Sequence, residues 1–470
     1  MQRTSVFLIS SLTLAIGLSG CASSGKDFQY PNAAGTVLPY TVVKKVANAE
    51  STEVRNGGFG SAMAPHPSQK NYFYAMTDRG PNAATATGVK PSGIIFVVPD
   101  YTPRIGLFKL TDTGQAELVS TITLKTPDAR PITGLPNKGF GATGETPYGL
   151  DGHVIALDPD GDGIPGYDES GLDPEGLVAM KDGSFWVSDE YGPHMVHFEA
   201  GGKEIERINP FAVDPRNQSG RVLPAELATR WPNRGMEGLA ISPDGKTLIG
   251  IMQSNLYNPN KAAVGSINLT RIVTVNIETG ATAQYLYRQD AAGLANSEIA
   301  GLSATSFLVI ERDTKFFGID SGSIRKNIYK IDLTGATNVD GSNASLIKAN
   351  ATITHSKTNG LLINGKTLEQ VIKDSGPDDN KAAAGWAQLE ALGIRPVHKT
   401  LVYDAIAGLR YPHDKMEGLW VIDSTHLGII NDDDFGIAPD GVGGVKQKIL
   451  FDGKVDRNTL HVVSLPTPLY

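Results

Sequence analysis

Acidic residues recur in this chain at a spacing that would let them share cations. Asp173-Pro174-Glu175-Gly176-Leu177, Gly235-Met236-Glu237-Gly238-Leu239 and Lys415-Met416-Glu417-Gly418-Leu419 carry one triplet, and Ser297-Glu298-Ile299-Ala300-Gly301-Leu302 is a looser copy. The glutamates lie 62, 61 and 119 residues apart, the last interval close to twice the others. Polar or acidic residues follow each anchor after an apolar run, a turn and another run, and those that are acidic form a second set. It comprises Asp189 and Glu190, Glu311 and Asp313, and Asp432 to Asp434, with Asp78 in a weaker first copy. Crowded carboxylates raise one another's pKa, so a convergent set needs cations to stay ionised. Oxygen ligands with neither Cys nor a metal-type His pair point to Ca2+ as the cofactor, with Mg2+ as the lesser alternative, and away from zinc.

Basic groups accompany these acids: Arg79, Arg234, Arg312, Lys315 and Lys415 lie within a few residues of them. A mouth holding both metal and guanidinium suits a phosphate, with Arg as the bidentate donor. His194 and His413 lie beside the acidic clusters and are candidate proton donors. A second reading stays open, in which the anchor glutamates accept backbone N–H bonds and lock the repeats together. A separate loop, Asp158-Pro159-Asp160-Gly161-Asp162-Gly163 with Glu169, matches the twelve-residue calcium-loop template in ligand spacing and glycine position. No helix pattern flanks it, so a structural ion in an isolated loop is expected. The chain has no G-x-S-x-G elbow and no H-E-x-x-H.

Elements that bring these acids together must repeat. After each anchor two short β-rich runs flank a turn such as Lys181-Asp182-Gly183 or Pro243-Asp244-Gly245-Lys246, a strong hairpin pattern. The chain goes out and returns, so the anchor and the second acid share one end of each repeat. About four strands in sixty residues describes a propeller blade. The expected fold is therefore an all-β propeller of six blades, with seven also accommodated by the spacing. Val37 to Val46 is expected to pair with Leu460 to Ser464 and close the ring. Leu368, Val371 and Ile372, then Trp386, Leu389 and Leu392, have helical spacing and predict a small helical insertion at about 365–395, as a lid or as a solvent-side decoration.

The N-terminal end carries Arg3, an apolar run from Val6 to Leu18, and then Leu18-Ser19-Gly20-Cys21. This resembles a signal peptide (1–20) with a bacterial lipobox, so Cys21, the only cysteine, is expected to carry lipid. Residues 21–36 form the tether and 37–470 the propeller domain. Ala22 after Cys21 resembles the pattern sorted to the outer membrane, so export and anchoring to the envelope, facing the periplasm, are expected. Loss of residues 1–20 removes only Arg3 and leaves a formal charge of −9, which argues against nucleic acid as a partner. A monomer is expected.

Asp78-Arg79-Gly80-Pro81-Asn82, the Asp173 to Leu177 segment, Ser188-Asp189-Glu190-Tyr191-Gly192-Pro193-His194, and the segments around Glu237 and Glu417 resemble the phytase-like family described as having esterase-like activity. The similarity covers roughly residues 50–440. It implies a propeller with clustered acids and suggests hydrolysis of a phosphoester. Calcium would be held by Glu175, Glu190, Glu237, Glu298, Glu311 and Glu417, while Arg79 and Arg312 steady the developing charge. The alternatives are a metal-dependent lactonase or carboxylesterase, and a non-catalytic propeller that binds a ligand or envelope partner.

Overall fold

The computed structural model describes residues 29–47, 51–85, 93–376 and 379–470; the signal-like segment and Cys21 lie outside them. Among the described residues five antiparallel sheets have four strands each. The first blade is Ala62–Pro65, Tyr72–Met76, Arg104–Leu110 and Ala116–Thr123; the second is Pro174–Ala179, Phe185–Asp189, His194–Phe198 and Glu204–Ile208. The third is Met236–Ile241, Thr247–Met252, Leu269–Asn276 and Thr282–Arg288; the fourth is Ala295–Gly301, Ser306–Arg312, Lys326–Asp332 and His398–Asp404. The fifth joins Gly418–Val421, His426–Ile430 and Thr459–Ser464 to Thr36–Val37 from the other end of the chain. The first strand of each blade contacts the first strand of both neighbouring blades, which closes a ring around one axis.

The repeated triplet explains this ring. Each Leu (Leu177, Leu239, Leu419) enters a core between sheets. Each Gly allows adjacent inner strands to approach, since a Cβ on Gly176 would collide with the Glu237 carbonyl and one on Gly238 with the Ile299 amide. Hairpins follow from the Asp-Gly turns. In the second blade Gly183 takes a φ of +89°, which favours glycine, and Asp182 accepts the Ser184 N–H at 3.0 Å.

The propeller class is as expected, but five blades replace the expected six. The long interval between Glu298 and Glu417 holds no further blade. It holds an insertion between the third and fourth strands of blade four, with a helix Ala344–Ala349, a three-stranded sheet (Ile353–Ser356, Gly360–Ile363, Lys366–Thr367) and helices Leu368–Ser375 and Asp379–Ala391. Thr367 starts its helix through a capping box with Gln370. Leu368, Ile372, Trp386 and Leu389 pack onto Leu269 and Leu286 of the third blade. Arg271, fully buried there, lies 2.7 Å from Glu369 of the insertion. The insertion is thus attached to the outer strands of blade three rather than laid over the axis.

Ring closure also differs in extent from the expectation. Only Thr36 and Val37 pair with the last strand, opposite Leu460 and Thr459. Pro39 removes a donor immediately afterwards, and Val42–Val46 folds back on Thr52–Arg55 instead.

Candidate functional site

Glu175, Glu237 and Glu417 stand where their inner strands begin, whereas Glu298 lies in the middle of Ala295–Gly301. In three blades the ladder to the second strand shifts there, between Pro174 and Gly176, Met236 and Leu239, and Asn296 and Glu298. A bulge of this kind takes a side chain out of the sheet's alternation and re-aims it. Glu175, Glu237 and Glu417 reach the wall of a 260 Å³ cavity at one end of the axis. Eight carboxylates line it (Asp78, Asp173, Glu175, Glu190, Glu237, Asp313, Glu417, Asp434) against four cations (Arg79, Arg234, Arg312, Lys415).

The tightest group is Asp78, Asp173 and Glu175, each offering an oxygen within 4.8 Å of the others, and all three are buried. Arg79 stands beside them, with Nε 3.4 Å from Asp173 Oδ2 and a bond to Asn233 Oδ1 at 2.9 Å. Gly80 N–H donates to Asp78 Oδ1 at 2.8 Å. Gln253 Nε2 donates to Glu190 Oε1 at 2.7 Å and also to Glu237. Arg312 binds Glu417 and donates from Nε to Ser297 Oγ at 2.8 Å. Two buried oxygens, Glu175 Oε2 and Glu237 Oε2, have no hydrogen-bond partner among the described residues.

Burial raises the carboxyls of Asp78, Glu175 and Glu190 well above the usual range, and neighbouring acids add to it: Asp173 at Asp78, Glu237 at the other two. Glu237 is pushed up to about 8 by burial and then by Glu417, against the pull of Arg312. A hard divalent cation fits this group. The donors are all carboxylate oxygens, one of them has no other partner, and a positive charge is what the crowded acids lack.

A family model described as phytase-like, with esterase-like activity of phytase, matches residues 54–368. The chain belongs to that family. An uncharacterized secreted protein of Arthroderma benhamiae is 32% identical over an alignment of 317 residues that covers 55% of this chain. The chain spans 59% of that relative's length. Among solved structures, the luciferin-regenerating enzyme is 8% identical with a TM-score of 0.33, over 92% of this chain and 98% of that one. A periplasmic gluconolactonase of Pseudomonas aeruginosa is 13% identical with a TM-score of 0.28, over 91% and 99%. The phytase-like region contains Asp78, Asp173, Glu175, Glu190, Glu237 and Arg312, whereas Glu417 is supplied from beyond it.

The structure brings Arg79, Arg312, Glu175, Glu190, Glu237 and Glu417 to one wall, together with Asp78, Asp313, Asp434, Arg234 and Lys415, and leaves Asp189, His194, Glu298, Glu311, His413 and Asp432 outside it. Asp189 accepts the backbone N–H groups of Asp173 and Gly192, each at 2.8 Å, and so locks a corner. Glu298 likewise accepts from Ile299 N–H at 3.0 Å and from Met63 N–H of the first blade at 3.5 Å. Glu311 is held by Tyr287 Oη at 2.8 Å and Lys399 at 3.0 Å on the outer side of its strand. Asp432 pairs with Lys415 at 2.5 Å. His194 is fully buried, 3.8 Å from Asp189, and burial, followed by Arg207, Arg216 and Arg230, drives its pKa well below the ordinary value. An imidazole in that setting stays neutral and does not face the cavity.

In the acidic loop Asp158, Asp160 and Asp162 converge, but Glu169 turns its carboxylate to the N–H of Gly139 at 2.9 Å and to Arg216 at 3.6 Å. Three mouth residues escaped the repeat. Asp173 occurs in one copy of the motif only, although its place two residues before the anchor is a usable sign. Gln253 follows its second strand as Glu190 follows the equivalent strand, and Asn233 sits in a turn with φ +54°.

Proposed function

We propose that the chain is an exported lipoprotein whose axial mouth hydrolyses phosphoesters with a bound divalent cation, Ca2+ foremost. The observation that carries the catalytic reading is the convergence of Asp78, Asp173 and Glu175 beside the Arg79 guanidinium, with Glu175 Oε2 free of other partners. Membership of the phytase-like family and the secreted status of a relative support the chemistry class and the export. Asp78, Asp173 and Glu175 would hold the cation, and Glu190, Glu237 and Glu417 add negative charge around it. When bound, such an ion polarises a phosphoryl oxygen and acidifies a coordinated water.

The chain's own groups then divide the remaining work. Arg79, steadied by Asp173 and Asn233, presents a fixed donor fork to a phosphate. Arg312 is held more tightly, by Glu417 and Ser297, and supplies a second positive edge. Arg234 lies over the Trp231 ring at 4.3 Å and forms no ion pair among the described residues, so it is the mouth cation most available to an incoming anion.

The excess of acids over cations in the mouth favours one second reading, hydrolysis of an uncharged ester or lactone. A single screen on the purified full chain separates the two. Hydrolysis of an aryl phosphate that requires added Ca2+ and stops with chelator supports the first reading. Preference for aryl esters or lactones supports the second. Activity toward none of these, with or without metal, would sink both.

A further inference from the structure

We propose that His413 and His461 form a second metal site, for a borderline transition-metal ion such as Zn2+, distinct from the acidic mouth. These residues are 48 apart in the chain, yet their Nε2 atoms face each other at 3.4 Å. In a tetrahedral site with Zn–N bonds of about 2.0–2.1 Å, two ligand nitrogens lie about 3.3–3.4 Å apart. The contact is longer than an N–H donor normally makes. The pair therefore has the separation of two imidazoles around an ion rather than that of two imidazoles bonded to each other.

Asp456 sets the tautomer. Its Oδ1 receives His413 Nδ1 at 2.6 Å, Arg457 N–H at 2.8 Å and Asn431 Nδ2 at 3.2 Å. An oxygen already taking two other donors is an acceptor toward His413 as well, so Nδ1 carries the proton of that bond and Nε2, facing His461, is the nitrogen left to ligate a metal. Carboxylate, imidazole and metal in that order is the usual outer-shell arrangement of a histidine ligand. The Tyr411 ring packs edge-on against both imidazoles, with centroids at 5.0 and 5.5 Å, and holds their planes.

Both histidines are buried, and both form part of the wall of a 670 Å³ cavity bordered by the N-terminal strand. That space leaves room for water or an exogenous ligand to complete the coordination. Lys448 separates the two sites electrostatically. Its Nζ lies 2.6 Å from Asp434 of the mouth and 3.7 Å from Asp456. Hard cations prefer the carboxylate mouth, whereas neutral imidazoles suit Zn2+ or Co2+.

The test is equilibrium dialysis of the metal-stripped full chain against Zn2+ in saturating Ca2+, with the Co2+ absorption spectrum as a report of nitrogen coordination. About one Zn2+ should be retained, and the Co2+ adduct should show the intense visible bands of a tetrahedral site. His413→Ala and His461→Phe, the latter keeping an aromatic ring against Tyr411, should each weaken retention roughly 10-fold or more, by analogy with loss of metal-site partners. Glu175→Gln should leave Zn2+ retention unchanged. If the parent chain retains no Zn2+, or if both histidine variants retain it as the parent does, the pair is a hydrogen-bonded relay and the proposal falls. The parent measurement stands whether or not the variants fold.

Discussion

Two clusters of acids in this molecule have nearly the same composition and opposite electrostatics. In the loop Asp158 to Glu169 every aspartate is satisfied by the chain's own amides. Asp158 accepts from Gly161 and Gly163, Asp160 from Asp162 and Glu169, and Asp162 from Ile164, at 2.7 to 3.4 Å. Water reaches the same groups. At the mouth, Glu175 and Glu237 each keep a buried oxygen without a donor among the described residues, and burial with like charges pushes protons onto them. Acidic spacing alone therefore says little about need for a cation; the supply of donors and solvent decides it.

The comparison breaks most visibly if Glu175 is neutralised. Glu175→Gln should weaken Ca2+ binding and lower any phosphoesterase activity by roughly 100-fold, the upper range for losing a metal-site partner. In the metal-free protein the same change should raise the melting temperature, because it removes a buried carboxyl that has no donor. Calorimetric titration and paired melting curves with and without Ca2+ check both signs. Unaltered Ca2+ affinity would return Glu175 to the status of a corner group.

A pH series sharpens the contrast. Glu237 moves from its ordinary 4.5 up to about 8 on folding. Between those values the folded state holds more protons than the unfolded one, so the metal-free protein should lose stability as pH rises from about 4.5 to about 8. Saturating Ca2+ should flatten that decline by stabilising the ionised form. Denaturant midpoints at several pH values, with and without Ca2+, would reveal the slope; a metal-free stability that rises over this window contradicts it.

A smaller effect is expected at the arginine. Arg312→Lys keeps the charge but loses the fork that spans Glu417 and Ser297, so turnover should fall by about 10-fold while Ca2+ affinity is retained. Initial-rate kinetics beside a Ca2+ titration separate these quantities. The smallest effect belongs to the loop. Asp160→Asn with Asp162→Asn should lower the melting temperature in Ca2+ by no more than about 4 °C, since the backbone donors remain, and should leave activity unchanged. A larger fall that appears only in Ca2+ would make the loop a genuine ion site.

What could be read from the residues follows local rules. The Glu-Gly-Leu copies and their Asp-Gly turns specified blades, and the out-and-back path specified that Glu175 and Glu190 share an end. Leu368, Val371 and Ile372 at helical spacing specified a helix. Blade number was not local, because an insertion in one blade and a missing blade boundary leave the same gap between Glu298 and Glu417. Nor was the fate of each anchor. Glu298 is the looser copy of the anchor in the sequence, yet in the ladder Ser297 is the skipped residue that corresponds to Glu175, and Glu298 turns instead to the N–H groups of Ile299 and Met63.

By itself, then, the sequence determined the repeating unit, the propeller class and the set of acids able to meet at its axis, since these depend on turn chemistry, alternation and spacing along the chain. Only the tertiary structure decided that five blades close the ring, which acids are left without donors, and that His413 meets His461 across 48 residues. Desolvation and long-range approach are properties of the packed interior, and no periodicity in the chain records them.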